Sequence, residues 1–467
     1  MKNTTLQLAA NEADRYLDSL DTSPVGAVAS IEQLRASLGG KLPTHSRTAE
    51  SVIEHLVEAT RDGLIGSAGG RFFAWVIGGS LDSALAADWL TSTWDQNAAL
   101  FSCSPAAAIA EEVAGEWLKE LLDLPRQASF AFTNGCQMAH FTCLAAARHS
   151  VLEQCGHDVN RQGLFGAPSI RVICGAERHG SIDSALRHLG FGNEQICAVS
   201  AREPGVMDVA KFTRLLEECS GPKIVALSAG DINTGSFDDF RTLIPIARRH
   251  NAWVHIDGAF GLMARACISK RHLLEGVELA DSWATDGHKW LNVPYDNGIA
   301  IVRDATAHRA SMTIGASYIA PEHGARDQID WNPEWSRRAR GFSVYAAILE
   351  LGRDGLDVLI ENCCQMAAEL VEGLSSLPEV EILWHPTLNQ GLFRIVDPRP
   401  GATEDDHARR TDGVMNRINQ SGEAFFSGTT WQGKRAIRIS VVNWRTDRTE
   451  VDLTIRAIAE VLEKSEC

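Results

Sequence analysis

Apolar residues are spaced differently in three successive parts of the chain. Up to about Ser67 they recur at helical intervals: "SIEQLRASLGG" predicts a helix capped by Ser30 and stopped at Gly39 and Gly40, and "SRTAESVIEHLVEATRDG" repeats the pattern. From roughly Phe72 to Arg303, helical patterns alternate with short apolar runs. In "GSIDSALRHLG", Ile182, Ala185, Leu186 and Leu189 fall at i, i+3, i+4 and i+7, with Gly190 as the stop. "KIVALSAG" and "AWVHIDG" are apolar runs bounded by glycine, as in strands covered on both faces. Between them Leu243, Ile244 and Ala247 predict a helix with Thr242 as N-cap and Pro245 in its first turn. Strand, helix, strand is the unit of a parallel sheet.

After Pro333 the chain reads as long helices, then strands near "NQGLFRIV" and "KRAIRISVVN". The Pro-, Gly- and charge-rich "DPRPGATEDDHARRTDG" between those strands predicts a loop leading into another helix. The expected organisation is an N-terminal helical segment over 1–70, a large α/β domain with a mostly parallel sheet over 71–325, and a smaller C-terminal α+β domain over 326–467.

Composition narrows the function. With 467 residues, 45% of them hydrophobic, the chain buries large cores. A net charge of -16 and a pI near 5.4 disfavour nucleic acid and anionic membrane as partners, because both reward clustered Lys and Arg. No apolar run reaches the roughly 18 residues of a membrane span, and the N-terminus lacks the pattern of a secretory leader. The eleven cysteines are scattered, without the paired spacing of a zinc site or a disulfide framework. Together these predict a cytoplasmic enzyme. "DINTGSFDD" fails as a calcium loop, since Ser236 and Thr242 stand where glycine and glutamate are needed. The fifteen histidines show no metal-ligand spacing, so no metal is expected.

The candidate chemistry lies in "HIDGAFG" and "DGHKWLNVPYDNG". Asp257 closes a parallel strand, where ligands bind in open sheets, and small residues follow it. Lys289 follows a predicted helix and precedes the strand "GIAIVRD", which places it in the same crevice. A buried acid and lysine form either a structural ion pair or a site in which the lysine makes an imine with a carbonyl cofactor and the acid pairs with a protonated ring nitrogen. Partial burial would favour the neutral amine that the second role requires.

With "AGDINTGSFD" and "IRISVVNWRT" in the same order and spacing, these motifs resemble the group II pyridoxal-phosphate-dependent amino acid decarboxylases, relatives of the aromatic amino acid and glutamate enzymes. The resemblance runs from about Phe72 to the C-terminal strand and helix. It implies a fold-type I enzyme of the aspartate aminotransferase-like class, working as a homodimer with shared active sites on a small amino acid substrate. Lys289 would be the Schiff-base lysine, neighboured by His288, and Asp257 the partner of the pyridine nitrogen. Ala259 and His179 would lie on the two ring faces, and Gly135, Cys136 and Gln137 would bind phosphate at a helix N-terminus. Without the resemblance, His179 reads as a helix-capping or core histidine. Trp75, Val76 and Ile77 would make the substrate pocket apolar, from the neighbouring subunit, and Arg445 would contact the substrate region or form a surface ion pair. The expected reaction is α-decarboxylation of an aromatic or large apolar L-amino acid.

Several positions depart from the family pattern. "GCQ" replaces a Gly-Gly-Thr-like turn, Met138 stands where an acid is frequent, Asp231 and Ile232 replace a pair of threonines, and Gly69 and Gly70 replace His-Pro. The stretch "SYIAPEHGARDQIDWNPEWSRRARG" lacks a matching counterpart of the family's proton-donating loop tyrosine, and Tyr318 would serve only in a loop arranged differently. Without that donor, decarboxylation coupled to oxidative deamination, giving an aldehyde, is the alternative. Lyase or aldolase chemistry on the same cofactor, and a non-catalytic scaffold, stand further back. Arg337, Arg338 and Arg340 read as a solvated face or an ion-pair network, and by resemblance flank the active-site loop.

Overall fold

The computed structural model describes residues 4–313 and 324–464. Its strands, in chain order, are β1 (Ser129–Thr133), β2 (Arg171–Gly175), β3 (Ile196–Val199), the ribbon β4 (Ala201–Glu203) and β5 (Val206–Met207), β6 (Lys223–Ser228), β7 (Ala252–Asp257), β8 (Ser282–Asp286), β9 (Gly298–Val302), β10 (Val380–Trp384), β11 (Gln390–Ile395), β12 (Ser427–Trp431) and β13 (Lys434–Ser440).

Seven strands form the main sheet in the order β1-β9-β8-β7-β6-β2-β3. β2, β3, β6, β7 and β8 pair in parallel, and β9 runs antiparallel between β1 and β8. β1 and the five parallel strands therefore end on the same edge. β1, β8 and β9 are buried along their whole length, which explains their unbroken apolar runs. A four-stranded antiparallel sheet, β10-β11-β13-β12, forms the C-terminal layer, with the Glu404–Ser421 helix expected after the charged loop. Phe72 bridges to Phe425 and Phe73 accepts a hydrogen bond from Ser440 N, so the residues that open the predicted large domain are tied into this smaller sheet.

The helix ends follow local chemistry. Ser30 caps Ile31–Leu38 through a reciprocal box with Gln33, and Gly39 ends it. The cap predicted at Thr242 lies three residues earlier. Asp239 accepts from Thr242 N, and the helix spans Phe240–Arg249. A carboxylate at a helix start outcompetes a hydroxyl further in, and Pro245 falls inside the helix, where it removes one hydrogen bond to the carbonyl of Arg241. In place of the helix expected before Lys289 there are three short 3₁₀ turns, Gly261–Ala266, Arg271–Leu274 and Val277–Leu279. Among the described residues no helix is long and apolar enough to cross a membrane.

Candidate active site

The carboxyl ends of β1, β2, β6, β7 and β8 surround one cleft of about 290 Å³, near the lower end of ligand-pocket sizes of roughly 300–1,000 Å³. It is lined by Lys289, Asp257, His179, Ala259, Gly135, Cys136, Gln137 and His288, so the fold gathers residues separated by as many as 154 positions in sequence. Of the three predicted pocket residues, Val76 lines the cleft of its own chain. Trp75 packs on Phe72 and Phe425 and is half exposed, and Ile77 packs on the small cluster of Val25, Phe72 and Ala74. Arg445 lies over the Trp444 ring, with Asp82 at 3.9 Å. Tyr318 lies outside the described residues.

Trp75 and Val76 both hold left-handed backbone angles, φ 54° and 57°. For β-branched Val76 this is strained by roughly 1–3 kcal/mol, and it turns the segment over the cleft. Gly78 permits the close approach that follows, since a Cβ there would clash with the Lys289 carbonyl oxygen.

Asp257 and Lys289 share the cleft but pair with different groups. Lys289 Nζ lies 3.2 Å from Asp286 Oδ2, and Asp257 Oδ1 lies 3.5 Å from His140 Nε2. Burial acts against the charge of Asp257, yet His140, with His179 and Lys289 adding, holds its carboxyl well below the usual carboxylate range. Burial lowers the Lys289 pKa, but Asp286, with Cys136 and Asp257, outweighs it and leaves the amine above its ordinary value. The neutral amine expected from burial alone is therefore corrected: its charge is retained because Asp286 stands beside it. Asp286 also accepts from Cys136 N at 2.6 Å and lies 3.5 Å from His288 Nε2.

His179 both caps a helix and lines the cleft. It is the N-cap of Gly180–His188, its Nδ1 accepting from Ser181 N, and its ring lines the cleft. Burial chiefly pushes its pKa down. His288 accepts from Asn297 N through Nδ1 and stacks on Tyr295 at 4.3 Å; burial lowers its pKa too.

His140, His255 and Asp286 are absent from the sequence-derived site. His255 was legible in part, because residues i and i+2 of a strand share a face and Asp257 lies two residues on. His140 sits one helical turn after Cys136, and nothing local ties it to a strand end 117 residues away. The fold brings Cys136 Sγ, His140 Nε2 and an Asp257 oxygen within 4.8 Å of one another, a grouping that spacing did not predict. Burial, reinforced by Asp286 and Asp257, drives the Cys136 pKa well above its usual value, so the thiol keeps its proton.

The residues fit pyridoxal phosphate. Gly135, at φ 140°, opens the 18-residue helix Cys136–Glu153, whose first-turn N–H groups favour an anion. A Cβ at Gly135 would come within 3.4 Å of His288. A carboxylate held charged suits a cationic ring nitrogen, and an amine stands across the same cleft.

Comparison with known proteins agrees. The pyridoxal-dependent decarboxylase conserved domain matches residues 32–396. The chain is 26% identical over 471 residues to 4-hydroxyphenylacetaldehyde synthase of Rhodiola rosea, covering 98% of this chain and 94% of that protein. It is 29% identical over 394 residues to L-2,4-diaminobutyrate decarboxylase of Rhizobium meliloti strain 1021, covering 82% and 76%. The crystal structure of Oryza sativa TDC with PLP and tryptamine superposes with a TM-score of 0.91 at 23% identity, covering 99% of this chain and 97% of that one. With a fold-type I architecture and a matching domain over most of its length, the chain belongs to the pyridoxal-phosphate-dependent decarboxylase family.

Proposed function

We propose that the protein decarboxylates an L-amino acid with an aromatic or large apolar side chain, releasing the amine and CO2. The observation that carries this reading is the convergence of Lys289, Asp257 and His179 in one cleft beside the start of the Cys136–Glu153 helix. Pyridoxal phosphate, when bound, supplies the electron sink that lets the α-carboxylate leave. Lys289 is the amine that anchors its aldehyde carbon. Asp257, held charged, opposes the ring nitrogen, and His179 and Ala259 flank the ring. The turn Gly135 to Gln137 would hold the phosphate beside Cys136, whose own N–H goes to Asp286, and His288 orders the Lys289 side through Asp286. Val76, Phe260 and Ile232 line the cleft and support an apolar side-chain pocket. The surroundings of Ile77 and Arg445 support packing and ion-pairing roles.

We take the working unit to be a homodimer. Val52 and Leu56 on Ala49–Thr60, and Trp89, Leu90 and Trp94 on Asp82–Trp94, are exposed apolar residues that a second copy would cover.

A second reading, the aldehyde-forming one, is favoured by the surroundings of the described tyrosines. None of the described tyrosines lines the cleft: Tyr16 lies among the N-terminal helices, Tyr345 stacks on Trp117, and Tyr295 stacks on His288. In that reaction O2 and water are consumed and aldehyde, CO2, ammonia and hydrogen peroxide are formed. Purified, cofactor-loaded protein incubated in air with each common L-amino acid, with CO2, amine, ammonia and peroxide quantified together, tests both readings. CO2 with matching amine establishes the first, and CO2 with ammonia and peroxide the second. Absence of CO2 from every amino acid overturns both.

A further inference from the structure

Behind the cleft a line of polar side chains runs into the core of the main sheet. His140 Nδ1 lies 2.9 Å from His255 Nε2, the rings meet edge to face at 88°, and both side chains are fully buried. His255 Nδ1 lies 2.9 Å from Ser282 Oγ, which also accepts from Trp253 Nε1 at 2.9 Å. At the cleft end, His140 Nε2 faces Asp257 Oδ1 at 3.5 Å and Cys136 Sγ at 3.4 Å. Two buried imidazoles in series are unexplained by packing, since an apolar pair would fill the same space without polar groups to satisfy.

The polarity of the line follows from its ends. At the cleft end the carboxylate of Asp257 can only accept, so the His140 nitrogen that faces it, Nε2, carries an N–H; at the far end Trp253 N–H takes one lone pair of Ser282, and the serine hydroxyl turned toward His255 Nδ1 continues the same direction. Burial drives the His255 pKa well below its ordinary value, so this imidazole carries a single ring proton, and with Nδ1 accepting from Ser282 that proton lies on Nε2, donated to His140. That makes His140 Nδ1 an acceptor and places its N–H on Nε2, pointed at Asp257. Reversing the line would turn a lone pair toward a carboxylate.

We infer that Ser282, His255 and His140 are positioning residues that lock a donor N–H onto Asp257, keeping its carboxylate charged and aimed, and thereby set how strongly the site grips a protonated cofactor ring nitrogen. This rests on the proposed role of Asp257.

The test compares two ligands on the full-length, cofactor-free protein: pyridoxal 5'-phosphate and its 1-deaza analogue, in which C–H replaces the ring nitrogen. Dissociation constants are read by absorbance titration. Wild type is expected to bind the natural cofactor at least about tenfold more tightly than the analogue, and His140→Leu to lose that preference to within about twofold. His140→Gln, whose amide N–H replaces Nε2, retains it, and Ser282→Ala weakens it from the far end. Equal weakening of both ligands in His140→Leu marks a purely structural role and overturns the inference, as does a preference left intact. If the leucine variant does not fold, the glutamine and alanine variants decide in the same terms. A wild type with no preference shows instead that Asp257 does not engage the ring nitrogen, and the proposed site and the relay fall together.

Discussion

The ammonium of Lys289 faces the carboxylate of Asp286, three residues before it, at 3.2 Å, while Asp257 faces His140. The acid and lysine that stand out in the sequence are thus each supported by a partner that does not. Asp286 holds the lysine charged, and it also ties the first N–H of the Cys136–Glu153 helix to the end of β8.

Replacing Asp286 by Asn is therefore expected to lower the Lys289 pKa, because burial then acts with less opposition. In wild type the raised pKa adds stability that is fully present below the unfolded lysine value and is lost as pH rises through the folded one; the variant forfeits that increment. Following the visible absorption band on mixing with cofactor at a series of pH values checks this. Uptake by Asp286→Asn should extend to lower pH, and Lys289→Ala should show no band at any pH.

His179 holds a helix end and a cleft wall together, and two substitutions separate the roles. His179→Ala removes cap and ring, and is expected to cost about 1 kcal/mol of stability with loss of activity. His179→Asn keeps a capping side chain, so thermal unfolding should be close to wild type while turnover falls about 10²–10⁴-fold.

Asp238 is buried and its two oxygens accept from Met207 N and Ser228 N. Burial nonetheless raises its pKa to about 6, opposed by those hydrogen bonds. The sign is the reverse of the usual carboxylate: between the unfolded value near 4 and about 6 the folded state holds the extra proton, so this group costs stability as pH rises, about 3 kcal/mol in all. Denaturation curves at pH 4 and pH 7 check it. Asp238→Asn should flatten this contribution, while leaving one backbone N–H facing an amide N–H at a cost of about 1–3 kcal/mol.

Tyr295 stacks on His288, and its pKa is raised chiefly by burial. Tyr295→Phe keeps the stack and removes the hydroxyl. If this phenol returns a proton after CO2 loss, the variant shifts product from amine toward aldehyde, ammonia and peroxide, measured as the ratio of amine to CO2.

The run Arg337, Arg338 and Arg340 proves to be an ion-pair network in its geometry: Arg337 with Glu111, Arg338 with Asp88, and Arg340 with Asp296 and Glu334. The first pair is fully buried at 2.8 Å. Glu111→Gln leaves a buried cation short of its counter-charge and should lower unfolding free energy by about 3 kcal/mol, read from the urea midpoint.

Local grammar made much of the fold legible. The strands at Lys223–Ser228 and Ala252–Asp257 announce themselves as apolar runs, and Ser30 and Gly39 mark a helix by their own hydrogen bonding. The cleft was legible where chemistry and strand ends coincide, as at Asp257 and Lys289. It was illegible where a role depends on a partner distant in sequence: His140 is an ordinary helix residue until the sheet brings Asp257 and His255 against it. The Thr242 cap was misplaced because Asp238, Asp239 and Thr242 are all capping residues, and only the backbone path selects Asp239.

The position of β9 between β1 and β8 bears on how the chain is made. Ser129 pairs with Val302, 173 residues later, so β1 and the helix that follows it emerge from the ribosome long before the strand that anchors them. Until then β1 is an apolar edge without a neighbour, open to mispairing with other chains. The cleft, built from the ends of strands on both sides of this late insertion, is completed only when the sheet closes, so a nascent chain stopped short of β9 would carry most of the site's residues and none of its geometry.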